Sequence, residues 1–68
     1  MFDFGDAIYF AKAGLKVFRE SWYGGYVWMQ EPDFDGMTPY LEKVEDGTHT
    51  PYIPSMEDML ADDWEAEK

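Results

Sequence analysis

The 68-residue sequence contains no cysteine, one histidine, one arginine and only 5 Lys+Arg in all. Without cysteine there is no disulfide and no thiolate metal site. A chain this short must therefore draw stability from tight aromatic packing, oligomerisation or a bound ligand, and oligomerisation is the route favoured here. Set against 15 Asp+Glu, the few cations leave a formal net charge of −10. That balance excludes a free-standing binder of nucleic-acid backbone, which needs clustered Lys and Arg, and a polybasic membrane anchor. No apolar run approaches the roughly 20 residues of a membrane span, and the basic start of a secretory signal is missing, so a cytosolic protein is expected.

What the chain does have is apolar and aromatic material: 46% hydrophobic and 19% aromatic residues, too much for the disorder that high net charge otherwise favours. One folded domain over residues 1–68 is expected. The charge is unevenly spread. Up to Gln30, Asp3, Asp6 and Glu20 balance Lys12, Lys16 and Arg19, while from Glu31 onward twelve acidic residues face only Lys43 and Lys68. No linker separates the two parts, so this is asymmetry within one domain.

From Asp3 to Gly14, the apolar residues Phe4, Ala7, Ile8, Ala11 and Leu15 recur at helical spacing, with Asp6 and Lys12 on the opposite side. Asp3 suits the N-cap, and Gly14 is placed to close the helix in a left-handed turn. Leu15–Glu20 alternates as a strand, Tyr26–Gln30 is an aromatic, β-branched run, and Ser21 to Gly25 supplies the glycines of a tight turn with Trp22 and Tyr23 at its corner. Glu31–Met37 reads as an acidic surface loop. Tyr40–Val44 pairs with His49–Ile53 across Asp46-Gly47, and Pro51 confines the second strand to an edge. Ser55-Met56-Glu57-Asp58 resembles a capping box opening a short helix, before a closing strand near Trp64. The predicted fold class is α+β: an N-terminal helix packed on a small antiparallel sheet, with a short second helix before the last strand.

Catalytic chemistry finds little support. The lone imidazole, His49, reads as a surface residue, with only Ser21 and Ser55 as serine nucleophiles. Carboxylate pairs such as Asp62-Asp63 or Glu42 and Glu45 read as solvated acids. Asp33-Phe34-Asp35-Gly36 lacks the spacing and the final bidentate Glu of a calcium loop. Met56, Met59 and Leu60 read as core filler. No cofactor, metal or catalytic residue is expected.

Three features suit a small planar anion such as a nucleotide. The rings of Trp22 and Tyr23 can stack on a base. The helix starts at Asp3-Phe4-Gly5 and Ser55-Met56-Glu57 offer free backbone N–H groups to phosphate. Arg19 can fork two phosphate oxygens. The blander alternatives are a core or interface Trp22, a purely capping Ser55, and an Arg19 paired with Glu20 or another acid.

Four stretches together carry a family resemblance: Phe4-Gly5-Asp6-Ala7 with Lys12-Ala13-Gly14-Leu15-Lys16-Val17; Arg19-Glu20-Ser21-Trp22-Tyr23-Gly24; Thr50-Pro51-Tyr52-Ile53-Pro54-Ser55; and Asp58-Met59-Leu60-Ala61-Asp62-Asp63-Trp64-Glu65. In this order the chain resembles the Thoeris anti-defence protein two family of small phage proteins. The resemblance implies a non-enzymatic protein that sequesters cyclic nucleotide signals of bacterial immunity, chiefly a cyclic ADP-ribose isomer made by TIR-domain proteins and, in some members, cyclic dinucleotides. It also implies a homotetramer built as a dimer of dimers, with pockets between protomers, in the cytoplasm of the infected bacterial host. Family members commonly have Trp-Asn-Gly where this chain has Trp22-Tyr23-Gly24, and Pro-Trp where it has Pro51-Tyr52. The ligand-binding set expected from the residues and the resemblance together is Phe4, Gly5, Arg19, Trp22, Tyr23, Gly24, Tyr52, Ser55 and Asp58. The alternative reading is an acidic DNA mimic that inhibits a nucleic-acid-binding host protein, since spread carboxylates can occupy a phosphate-reading groove.

Overall fold

The structure, a computed structural model, describes residues 1–30 and 38–67. The expected acidic loop, Glu31–Met37, lies outside the described residues. Helix α1 spans Phe4–Lys12 and starts as its sequence predicts, with the Asp6 N–H donating to the Asp3 side chain at 2.9 Å. It ends on Gly14, at φ +96°, where the Gly14 N–H donates to Ala11 and the Leu15 N–H donates back to Phe10. With the Ala13 N–H, which also reaches these carbonyls, the bond pair completes the hydrogen bonding of the helix end.

The strands are β1 (Lys16–Arg19), β2 (Tyr26–Gln30), β3 (Tyr40–Glu45), β4 (Thr48–Pro51) and β5 (Trp64–Glu67), and the short helix α2 (Met56–Leu60) precedes β5. They form one antiparallel sheet in the order β4-β3-β2-β1-β5. The first four run as a meander, and the chain then returns through α2 to lay β5 beside β1. This is the α+β architecture expected, with β4 and its Pro51 on an edge as predicted. The hairpin from β3 to β4 turns on Asp46 at φ +51° and Gly47 at φ +78°, the paired left-handed conformations of a tight two-residue turn. One pairing was not foreseen: Phe2 exchanges both backbone hydrogen bonds with Trp64, which fixes the N-terminus against β5.

The core lies between α1 and one face of the sheet. Ala7 and Ala11, one turn apart, let the helix approach closely, and Val17 and Val27 oppose each other directly beneath it. Trp64 is completely buried. An indole of this kind removes roughly 200 Å² from water, an upper estimate of about 5 kcal/mol before ordering entropy, so it supplies much of what a core this small can offer. Phe2, Phe4, Phe10, Trp22, Leu41 and Tyr52 pack around this centre.

By the two-residue alternation of strands, Lys16, Phe18, Tyr26, Trp28, Glu42, Val44 and His49 stand on the opposite face. No helix among the described residues covers it. Glu42, read from sequence as a solvated acid, is instead buried there. Its Oε1 accepts from Trp28 Nε1 at 3.0 Å and lies 2.9 Å from His49 Nδ1, with the bond to His49 foremost in holding the carboxyl below its ordinary range.

A second correction concerns α2. Met56, Met59 and Leu60, read as core filler, are exposed, as is the neighbouring Ile53. Five residues are too few for a helical period to declare a buried face.

Gly25 and Gly47 share a similar positive φ, but only Gly25 is crowded: a Cβ there would meet the Val44 carbonyl oxygen at 2.9 Å, whereas one on Gly47 meets open space. In urea denaturation, Gly47→Ala is expected to destabilise by about 1 kcal/mol, the cost of an L-residue in the left-handed region. Gly25→Ala should cost at least about twice that, because the backbone must also shift.

Candidate functional site

Where β1 ends, Arg19 and the turn that follows it form a corner. The chain bends at once, with the Trp22 N–H donating to the Arg19 carbonyl at 3.0 Å, and Gly24 and Gly25 return it to β2. Trp22 turns inward. Its ring stands edge-on to Trp64 at 5.3 Å and to Tyr52 at 6.4 Å, and Lys43 Nζ sits 4.3 Å from its centroid. Tyr23, next in the chain, is fully exposed.

The guanidinium of Arg19 gathers acids from two other elements. Nε donates to Asp63 Oδ1 at 2.8 Å, Nη2 to Asp63 Oδ2 at 3.5 Å, and Nη1 to Asp58 at 3.1 Å and to Glu57 at 3.4 Å. The Arg19 side chain is 12% exposed, against 82% for Glu57, so Glu57 is the loosest partner. The bond to Asp63 is the main reason the guanidinium is held above its ordinary range, and it pulls the Asp63 carboxyl below its own. Asp63, read as solvated, is therefore an ion-pair partner, and Arg19 pairs with these three acids rather than with Glu20.

Asp58 is a junction. Its N–H donates to Ser55 Oγ, its Oδ1 accepts from Arg19, its Oδ2 accepts from the Tyr52 hydroxyl at 2.8 Å, and its carbonyl accepts from Trp64 Nε1. Ser55 thus caps α2 as predicted. The reciprocal half of the expected capping box is absent, because the Asp58 carboxylate is committed to Arg19 and Tyr52. Burial, and then the bond to Asp58, raise the Tyr52 phenol above its ordinary range and keep it a proton donor.

The structure thus brings Arg19, Trp22, Tyr52, Ser55 and Asp58 into one connected network, and Phe4 joins it through Trp64, with ring centroids 5.6 Å apart. Gly5 lies in the first turn of α1, outside the network. Gly24 belongs to a cavity of about 310 Å³ at the same corner, lined by Phe18, Trp22, Gly24, Gly25, Tyr26 and Glu67. Lys16 Nζ lies 4.6 Å from the Tyr26 ring centroid. Sequence reasoning missed Phe18, Tyr26, Lys43 and Asp63. The available signal for the first two was the strand alternation itself, which sets aromatic residues opposite the buried Val17 and Val27.

Chemically, the arrangement offers aromatic edges and faces, glycine backbone and two lysines whose ammonium groups rest on rings. Among the described residues, no group of three or more His, Asp and Glu side chains is placed to hold a metal ion. No helix among them is long and apolar enough to cross a membrane. Residues 2–66 match the Thoeris anti-defense 2-like domain. The chain belongs to the Tad2-like family. The match spans nearly the whole chain, and with it both the Trp22 corner and the Arg19 network. Membership places the protein among Thoeris anti-defence proteins. No curated protein matches the sequence.

Because the folded-state Asp63 carboxyl titrates below its unfolded value, the Arg19–Asp63 pair contributes stability that is fully present above about pH 4 and lost as pH falls through the depressed value. Thermal melts of the wild type and Arg19→Gln should therefore differ most at pH 5–7, with the wild type higher, and converge below about pH 4. A constant difference down to pH 2 would mean that the pair does not carry the effect.

Proposed function

We propose that this Tad2-like protein is a non-enzymatic anti-defence protein that binds and sequesters a cyclic nucleotide immune signal. The signal is a cyclic ADP-ribose isomer made by TIR-domain proteins, with cyclic dinucleotides as further ligands, and it is held in the cytoplasm of the infected bacterial host. The observation that carries this reading is the Trp22 corner: an aromatic ring with an ammonium on one face, beside glycine backbone that opens into a cavity of about 310 Å³. That volume is at the lower end for small-molecule sites, enough for part of a cyclic nucleotide. Trp22, Tyr23 and Gly24 are the proposed contacts. Phe4, Gly5, Tyr52, Ser55, Asp58 and Arg19 complete the proposed site and frame it.

The rest of such a ligand needs further walls, and a second copy of the chain is the proposed source. Two apolar faces on opposite sides of the sheet support this. One is the sheet face carrying Phe18, Tyr26 and Trp28, and the other is the outer side of α2 with Ile53, Met56 and Leu60 at 86%, 67% and 77% exposure. A dimer of dimers requires two self-complementary patches of this sort.

Titration calorimetry against the cyclic ADP-ribose isomer and a panel of cyclic dinucleotides tests the proposal, followed by heat denaturation and chromatography of the released ligand. Submicromolar binding with the ligand recovered intact is expected. Trp22→Ala should weaken binding roughly tenfold to a hundredfold, the range of one lost base stack, while Trp22→Phe retains most of it. Size-exclusion chromatography of both variants separates loss of contact from loss of assembly. Altered ligand after incubation would make the protein an enzyme. No heat with any nucleotide, together with salt-sensitive capture of a basic nucleic-acid-binding protein, would favour the DNA-mimic alternative.

A further inference from the structure

Two cations meet at the Trp22 corner, and their surroundings differ. Arg19 already faces Asp63, Asp58 and Glu57, so its immediate shell carries more negative than positive charge and four N–H···O contacts are in place. An incoming phosphate there would have to displace carboxylates and face those left behind.

Lys43 is placed otherwise. It stands on β3 opposite Val27, on the α1 side of the sheet, with its side chain 29% exposed. Among the described residues, the acid it pairs with is Glu45, at a loose 3.9 Å and with 62% of that side chain exposed. Its ammonium instead rests 4.3 Å from the Trp22 ring centroid.

A cation over a ring that is only partly buried is held modestly, and the lysine stem is flexible enough to carry its compact charge several ångströms away. The ring face that Lys43 covers is also the kind of surface on which a base stacks. Resting on the nucleotide-binding reading above, we propose that Lys43 is the phosphate-binding cation of this corner. Its seat on Trp22 is then the place a planar base takes when the ligand arrives. The exchange trades one cation–ring contact for a base–ring stack and an ammonium–phosphate pair, while Arg19 stays bound to its acids as a positioning residue.

Proton NMR reads the exchange directly, because methylene protons of Lys43 above an indole are shifted upfield by the ring current. On titration with the calorimetric panel, the Lys43 Hε resonances should move downfield toward ordinary lysine positions. Lys43→Met should weaken binding at least tenfold and abolish its dependence on sodium chloride, and Lys43→Arg should restore most of the affinity. Lys12→Met, which removes the same charge from the end of α1, should leave affinity unchanged. If the wild type binds and Lys43→Met binds equally well, or Lys43 stays upfield in the complex, this assignment is overturned while the sequestration reading stands. If the wild type binds no member of the panel, both fall together.

Discussion

A single guanidinium ties together the end of β1, the approach to β5 and the first turn of α2. Arg19, the last residue of β1, holds Asp63 at the entrance to β5 and Asp58 in the first turn of α2. Asp58 in turn holds the Tyr52 hydroxyl and, through its carbonyl, the indole of Trp64. Residues 39 and 44 positions away along the chain are thereby drawn to one point. In a chain without disulfides this cross-link reinforces, at the Arg19 end, the β1–β5 pairing that closes the long excursion through β2, β3, β4 and α2 back onto β1. Trp64 can be wholly buried because its one polar atom has a partner that this same junction positions.

The corner that follows from this arrangement has a rigid inside and a soft outside. Trp22 stands edge to face with both Trp64 and Tyr52, while Tyr23, the glycines and the two ring-seated lysines form the accessible rim. Rigid support beneath adaptable contacts is how a small scaffold presents a site with little ordering left to do when a ligand arrives.

Much of this fold is legible in the sequence wherever a local rule governs. Asp3 and Ser55 cap helices, Gly14 ends one, Asp46-Gly47 turns a hairpin and Pro51 marks an edge, because each acts through backbone within a few residues. The candidate site is legible only in part. Nothing near Arg19 says which of 15 acids will meet it, since the partners arrive through strand order. In β3, Leu41 and Lys43 share one face and Glu42 and Val44 the other, so alternation cannot say which charge is buried. The exposure of Met56, Met59 and Leu60 was hidden for a different reason, the brevity of α2.

Both edges of the sheet are partly blunted against further pairing. On β4, Pro51 has no N–H to offer. On β5, the bridge from Phe2 occupies Trp64, and Glu65 and Glu67 bring charge to the rest of the strand. Strand-by-strand growth of copies into fibres is thereby disfavoured. On the sequestration reading proposed above, one copy neutralises one signal molecule with no turnover, and the protein then has to accumulate. Blunted sheet edges remove one route to aggregation at such concentrations.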